Sequence, residues 1–187
     1  MSTREAILTA AQRHLTRHPA ASMADLAAAA GVGRATVHRH FAGRDELLGE
    51  LGARSLDRWE HTLDHAGGTG VGPAATADAE QLRACLDDLM TRYVADSDDF
   101  GFALTDTFLL GSAEHSARAQ ALFEREVAFY EAAQRAGVLR DDVPAVWIGH
   151  AVYGLLVAAR EALRLGDVPR RGLDRLVLTT VLQGGAA

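Results

Sequence analysis

Apolar residues recur three and four positions apart along almost the whole chain, and no run alternates apolar with polar residues over a strand's length. That spacing restricts the chain to packed helices. The first starts at Ser2, with Glu5 three residues on in capping-box spacing; Ile7, Ala11 and Leu15 share its inner face, and Pro19 ends it. The second is capped by Ser22 with Asp25 placed to help, turns Met23, Leu26, Ala27 and Ala30 inward, and stops at Gly31. Only "GVG" separates it from a third helix, "RATVHRHF", which has just Val37 and Phe41 to pack. Two short helices joined by about three or four residues with a glycine make the helix-turn-helix pattern.

The fourth helix, residues 44–65, carries Leu48, Leu51, Ser55, Trp59 and Leu63 along one face and links the two parts of the chain. "AGGTGVGPAAT", residues 66–76, reads as a flexible joint. Beyond it a fifth helix carries Leu82, Leu86, Leu89 and Tyr93, "ADSDD" reads as a polar turn, and "FGFALTDTFLL" as a sixth helix. A seventh spans about Ser116 to Ala136, with Leu122, Phe123, Val127, Phe129 and Tyr130. "GVLRDDVP" is a stop and restart, in which Gly137 terminates, Asp141 or Asp142 can cap, and Pro144 falls in the first turn of an eighth helix. That helix has one face of Ile148, Val152, Leu155, Ala159 and Leu163 and a second, of small residues beside a tryptophan, made by Trp147, Ala151, Gly154 and Ala158. A ninth carries Leu173, Leu176, Val177, Thr180 and Val181. The expected fold is all-α with about nine helices: an N-terminal three-helix unit over residues 1–50 and a C-terminal helical domain over 51–187.

Several function classes are excluded on chemistry. No glycine loop that could cradle a phosphate is present, and no Ser-His-Asp or Cys-His set can be placed, so neither a catalytic residue nor a cofactor is expected. His61 and His65 are four apart, but a third ligand is not evident and "HTLDH" lacks the glutamate of a zinc protease, so no metal site is expected. The single cysteine, Cys85, permits no intrachain disulfide and reads as a small core residue. "VPAVWIGHAVYGLLVAA" is interrupted by His150 and two glycines and flanked by charge, which describes a buried helix rather than a membrane span. The N-terminal "MSTREAILTAAQRHL" carries Glu5 early and lacks an apolar run, so no signal peptide is read and a cytoplasmic location is expected.

Charge divides the chain. Its net charge of −6 argues weakly against nucleic acid, but residues 1–60 hold eight Arg against seven acids, with four histidines besides, while the remainder holds eleven Arg against eighteen acids. In a helix-turn-helix the second helix enters the major groove. Arg bonds guanine in bidentate fashion, Thr offers a hydroxyl and a methyl, and His contacts bases or phosphates. A helix with only Val37 and Phe41 to bury suits that use: the groove is its second partner.

"ILTAAQRHL" and "SMADLAAAAGVGRATVHRHFAGRDELL", at their spacing, resemble the N-terminal domain of the TetR family of bacterial transcriptional regulators, over residues 4 to 51. Gly33 stands where the family usually has Ser or another cap, which costs about 0.5 kcal/mol or less. His38 stands where Tyr is usual, and "TRHPAAS" replaces a glycine-containing turn. The resemblance implies that Arg34, Ala35, Thr36 and Arg39 face bases, that His38 and His40 touch phosphates or bases, and that Ser22 and Arg44 hold the DNA backbone. It also implies a double-stranded operator, a small-molecule effector bound in the C-terminal domain, and a homodimer formed by the eighth and ninth helices. Candidate pocket walls are Tyr93, Phe102, Phe108, Phe123, Phe129, Tyr130, Trp147 and Tyr153, with Asp106 and His150 as polar residues set in apolar stretches. The expected function is a ligand-responsive repressor; a small-molecule-binding protein of the same fold without DNA binding is the alternative.

Overall fold

The computed structural model of the chain describes residues 2–68, 78–106, 109 and 112–184. Among them run eight α-helices: α1 (Thr3–Arg17), α2 (Met23–Ala29), α3 (Arg34–His40), α4 (Arg44–His65), α5 (Ala79–Phe100), α6 (Ala113–Arg135), α7 (Ala145–Leu165) and α8 (Leu173–Gln183). Short 3-10 turns occupy Ala66–Gly68 and Gly101–Leu104, and no strand occurs among the described residues.

The N-terminal helices begin where their capping residues stand. Ser2 Oγ accepts from the Glu5 amide, 3.2 Å away. Ser22 and Asp25 form a reciprocal capping box, the Asp25 carboxylate accepting from the Ser22 amide at 2.8 Å while Ser22 Oγ accepts from the Asp25 amide at 3.3 Å. Gly31 follows α2 at φ +67°, a left-handed conformation that a side chain would strain. α3 has no side-chain cap, its N-cap being Gly33. The start of α4 is closed by Glu46, whose carboxylate accepts from the Ala42 amide at 2.6 Å.

Two hydrophobic cores result. The first joins Ile7, Leu8, Ala11 and Leu15 of α1 to Leu26, Val37, Phe41, Leu47, Leu48 and Leu51, and takes in Phe102 and Leu109 from much further along the chain. The second gathers Leu56 and Leu63 of α4 with α5, α6, α7 and α8 around Tyr130 and Phe129. α4 belongs to both. Polar contacts bridge the same boundary: Thr16 Oγ1 donates to the Asp99 carbonyl (3.1 Å), Arg160 donates to the Thr16 carbonyl (2.9 Å), and His115 Nε2 lies 2.9 Å from the Gly49 carbonyl. The core of the N-terminal unit therefore draws on residues well past position 50.

The structure departs from the sequence reading at three connections. "ADSDD" is no turn: α5 runs through it to Phe100, because Asp96 is satisfied on the helix by Arg58 Nε (2.5 Å) and Thr62 Oγ1 (2.7 Å), and Ser97 Oγ by the Val94 carbonyl (2.8 Å). The expected sixth helix is, over 101–104, only a 3-10 turn; residues 107, 108, 110 and 111 lie outside the described residues, and Phe108 with them. Most of the expected joint, residues 69–76, also lies outside them. Neither Asp141 nor Asp142 caps α7, whose N-cap is Pro144; Asp142 instead pairs with Arg140, and Gln134 Nε2 holds the connection by donating to the carbonyls of Arg140 (2.7 Å) and Val143 (2.8 Å).

Candidate nucleic-acid interface and effector cavity

α3 divides into two faces. Val37, 1% exposed, and the fully buried Phe41 pin it to α1, α2 and α4, while Arg34, Ala35, His38 and Arg39 are exposed and Thr36 is half-buried. Ser22, Arg34 and His38 line one shallow groove between the start of α2 and α3, so the structure brings together three side chains that the sequence places in one function. His40 differs from His38: its ring is half-buried, and its Nε2 is buried without a hydrogen-bond partner among the described residues. Arg44 is committed within the protein, donating to the carbonyls of Ala21 (Nε, 3.2 Å) and Pro19 (Nη2, 2.8 Å). It thereby fixes the turn that carries the Ser22 cap. Ser22 Oγ also donates to Asp25 at 2.7 Å, and these bonds hold the Asp25 carboxyl below its usual range.

The second feature is a cavity of about 460 Å³ lined by α4, α5, the 101–104 turn, α6 and α7. Its size is that of a small-molecule site. Of the side chains nominated from sequence, Tyr93, Phe123, His150 and Tyr153 line it. Phe129 and Tyr130 belong to the adjoining core. Phe102 points the other way, into the N-terminal core. Asp106, within hydrogen-bonding distance of the Leu109 amide (3.3 Å), is not among the lining residues, nor is Trp147, which is 62% exposed.

The cavity also holds groups that the sequence reading passes over: Trp59, Phe100, the Arg58–Asp96 pair and Glu126. Glu126 is 4% exposed. Tyr93 OH donates to its Oε2 at 2.6 Å and Tyr130 OH to its Oε1 at 2.5 Å; Trp59 Nε1 in turn donates to Tyr93 OH at 3.0 Å. Burial pushes the Glu126 carboxyl above its ordinary range in spite of these donors, and it pushes both phenols up as well. The signal was present in the sequence, since Glu126 interrupts an otherwise apolar stripe of Leu122, Phe129 and Ala133 at helical spacing. On α7, Gly149 makes room for a wall of the cavity: a Cβ there would stand 2.5 Å from the Phe123 ring, which packs 5.0 Å from the His150 ring. Tyr153 OH donates to the Leu104 carbonyl at 2.5 Å, tying the cavity wall to the turn whose Phe102 completes the N-terminal core.

Elsewhere the titratable groups have local explanations. Cys85 is buried and its thiol is pushed up to about 11, chiefly by desolvation, which leaves little thiolate for redox chemistry. His65 Nδ1 lies 2.8 Å from the His61 carbonyl, and among the described residues no group of three or more His, Cys, Asp or Glu gathers as a metal site. No helix of the described residues is long and apolar enough to cross a membrane.

Comparison with known proteins agrees with this geometry. Residues 7–51 match the family model for bacterial regulatory proteins of the tetR family. Over 183 residues, 97% of this chain and 89% of the relative, the sequence is 32% identical to the HTH-type transcriptional repressor LfrR of Mycolicibacterium smegmatis. The crystal structure of LfrR in complex with proflavine superposes with a TM-score of 0.76 at 28% identity, covering 97% of this chain and 95% of that one. AibR in complex with isovaleryl coenzyme A and operator DNA shares the fold, with a TM-score of 0.72 at 18% identity over 97% and 98% of the two chains.

Proposed function

Because this chain belongs to the TetR family of bacterial regulatory proteins, we propose that it is a ligand-responsive DNA-binding transcriptional regulator, a repressor released from a palindromic operator by a small molecule. The observation that carries this reading is the division of α3, with Val37 and Phe41 buried and Arg34, Ala35, His38 and Arg39 left outward. In that reading Arg34, Ala35, Thr36 and Arg39 meet base edges, His38 and Ser22 approach the phosphates, and Arg44 acts by holding the turn before α2.

Reading a palindrome requires two copies. The exposed face of α7, with Trp147, Ala151, Gly154 and Ala158, and Leu176 of α8 supply an apolar surface for an isologous pair. Small residues there let helices approach closely. Two α3 helices would then occupy successive major grooves about 34 Å apart. The cavity is the effector site in this scheme. LfrR is a repressor, and its structure with proflavine makes a planar aromatic compound the first effector to test. An effector shifts the population only through its differential affinity for the DNA-competent and incompetent states. α4 and the 101–104 turn, each shared between cavity and N-terminal core, are the levers.

Selection of bound sequences from random DNA is the direct test. A recovered inverted repeat that binds in a salt-sensitive manner, and is released by proflavine, is the expected result. Failure to enrich any sequence would reject the DNA-binding reading, and enrichment without a repeated half-site would reject the palindrome.

A further inference from the structure

Glu126 is an acid in a place that ordinarily excludes one. Thr62 and Glu126 are the buried polar side chains among the described residues, and Glu126 alone of the two can carry charge. The other carboxylate on the cavity wall, Asp96, is neutralised by Arg58 at 2.5 Å. No Arg or His pairs with Glu126 among the described residues. A buried carboxylate without a cation is expensive, and most proteins avoid it.

The surrounding bonds are nevertheless arranged for the anion. Trp59 donates to Tyr93, which leaves the Tyr93 proton directed at Glu126; Tyr130 donates to the other oxygen. Each oxygen receives one phenol donor, and a carboxylate retains lone pairs beyond those two. Trp59, Tyr93, Phe100, Phe123 and Tyr153 put five aromatic side chains on the adjoining walls. Aromatic faces attract cations, Trp most strongly, and do so best where water is excluded. An unneutralised acid pre-arranged by donors inside an aromatic cavity is half of an ion pair.

We propose that the cavity selects lipophilic organic cations bearing aromatic rings, and that Glu126 is the residue that reads their charge. This rests on the cavity being the effector site. Glu126 accepts the positive end, and the aromatic walls take the rings. A cation beside Glu126 favours its ionised form, so effector binding and ionisation of that carboxyl are linked. The other ionisable groups that bond Glu126 or line the same cavity are Arg58 of α4, Tyr93 and Asp96 of α5, Tyr130 of α6, and His150 and Tyr153 of α7. A Glu126→Gln variant separates its contribution from theirs.

The test is fluorescence titration of the full-length protein with two probes of the same shape, the permanent cation 10-methylacridinium and the neutral 9-methylanthracene. The cation is expected to bind about ten-fold more tightly or better. Its affinity should rise with pH through the Glu126 ionisation, while that of the hydrocarbon stays flat. Glu126→Gln should lose the cation preference and the pH dependence and keep the hydrocarbon within about two-fold. Equal affinity for the two probes, a cation preference that persists in the variant, or binding of neither would overturn the proposal. The probe pair and the pH series use the wild-type protein, so a poorly folded variant does not protect it. Charge-selective binding that leaves the operator bound would instead refute the effector reading and leave the charge assignment standing.

Discussion

Two residues show how a side chain's role follows from what it already touches. Arg44 reads from sequence as a phosphate contact at a helix start, and two of its guanidinium N–H groups already donate to the carbonyls of Pro19 and Ala21. Arg44→Ala is therefore expected to weaken every DNA sequence alike and to cost about 1–2 kcal/mol of stability, by mobility shift and denaturant melt. Arg39→Ala removes an exposed residue with no such duty; it should relax sequence preference in a binding selection and leave the melt unchanged. Glu126 makes a prediction about pH. Its pKa is raised in the folded protein, so folding favours the protonated form. The stability it contributes is full below the ordinary carboxylic range and is lost as pH rises through the raised value. The denaturation midpoint of the effector-free protein should fall across that window, and Glu126→Gln should remove that part of the fall.

At the scale of elements, the helices with strong periodic faces and end signals were legible in the sequence. α1 and α2 begin at the capping residues read for them, Gly31 adopts the left-handed turn, and α3 keeps only Val37 and Phe41 inside. What was not legible depended on partners distant in sequence. "ADSDD" looks like a turn until Arg58 and Thr62 of α4 satisfy Asp96. Phe102 looks like a pocket wall until the chain turns and hands it to the other core. Trp59 and Glu126 sit on stripes that run continuously from core into cavity, and periodicity cannot tell the one lining from the other. The element joining the two is the 101–104 turn, held by the Tyr153 hydroxyl. Tyr153→Phe deletes that bond while keeping the ring. Effector binding by titration should survive in the variant, and effector-driven release of operator DNA should need about ten-fold more effector, the value expected for a coupling energy of one hydrogen bond.

At the scale of the molecule, the large exposed apolar residues among those described lie on the last two helices, α7 and α8. Trp147, Val146 and Tyr153 of α7, Leu165 at its end, and Leu176 of α8 are the large hydrophobic side chains most open to water among the described residues. Of these, Trp147 and Leu176 belong to the surface proposed above for pairing two copies. Leu176→Arg is expected to yield a monomer by analytical ultracentrifugation and to reduce operator affinity by at least about 100-fold, because each half-site then binds without its neighbour's effective concentration. A variant that stays dimeric would direct attention to another face.

The loan of Phe102 and Leu109 to the N-terminal core limits how the protein can be dissected. A fragment cut after α4 would carry a vacancy where an aromatic ring belongs, and would melt earlier than the intact chain or not fold at all. Reader and sensor are thus not modules on a string: each is finished by the other, and any ligand that tightens one must be felt in the heat resistance of both.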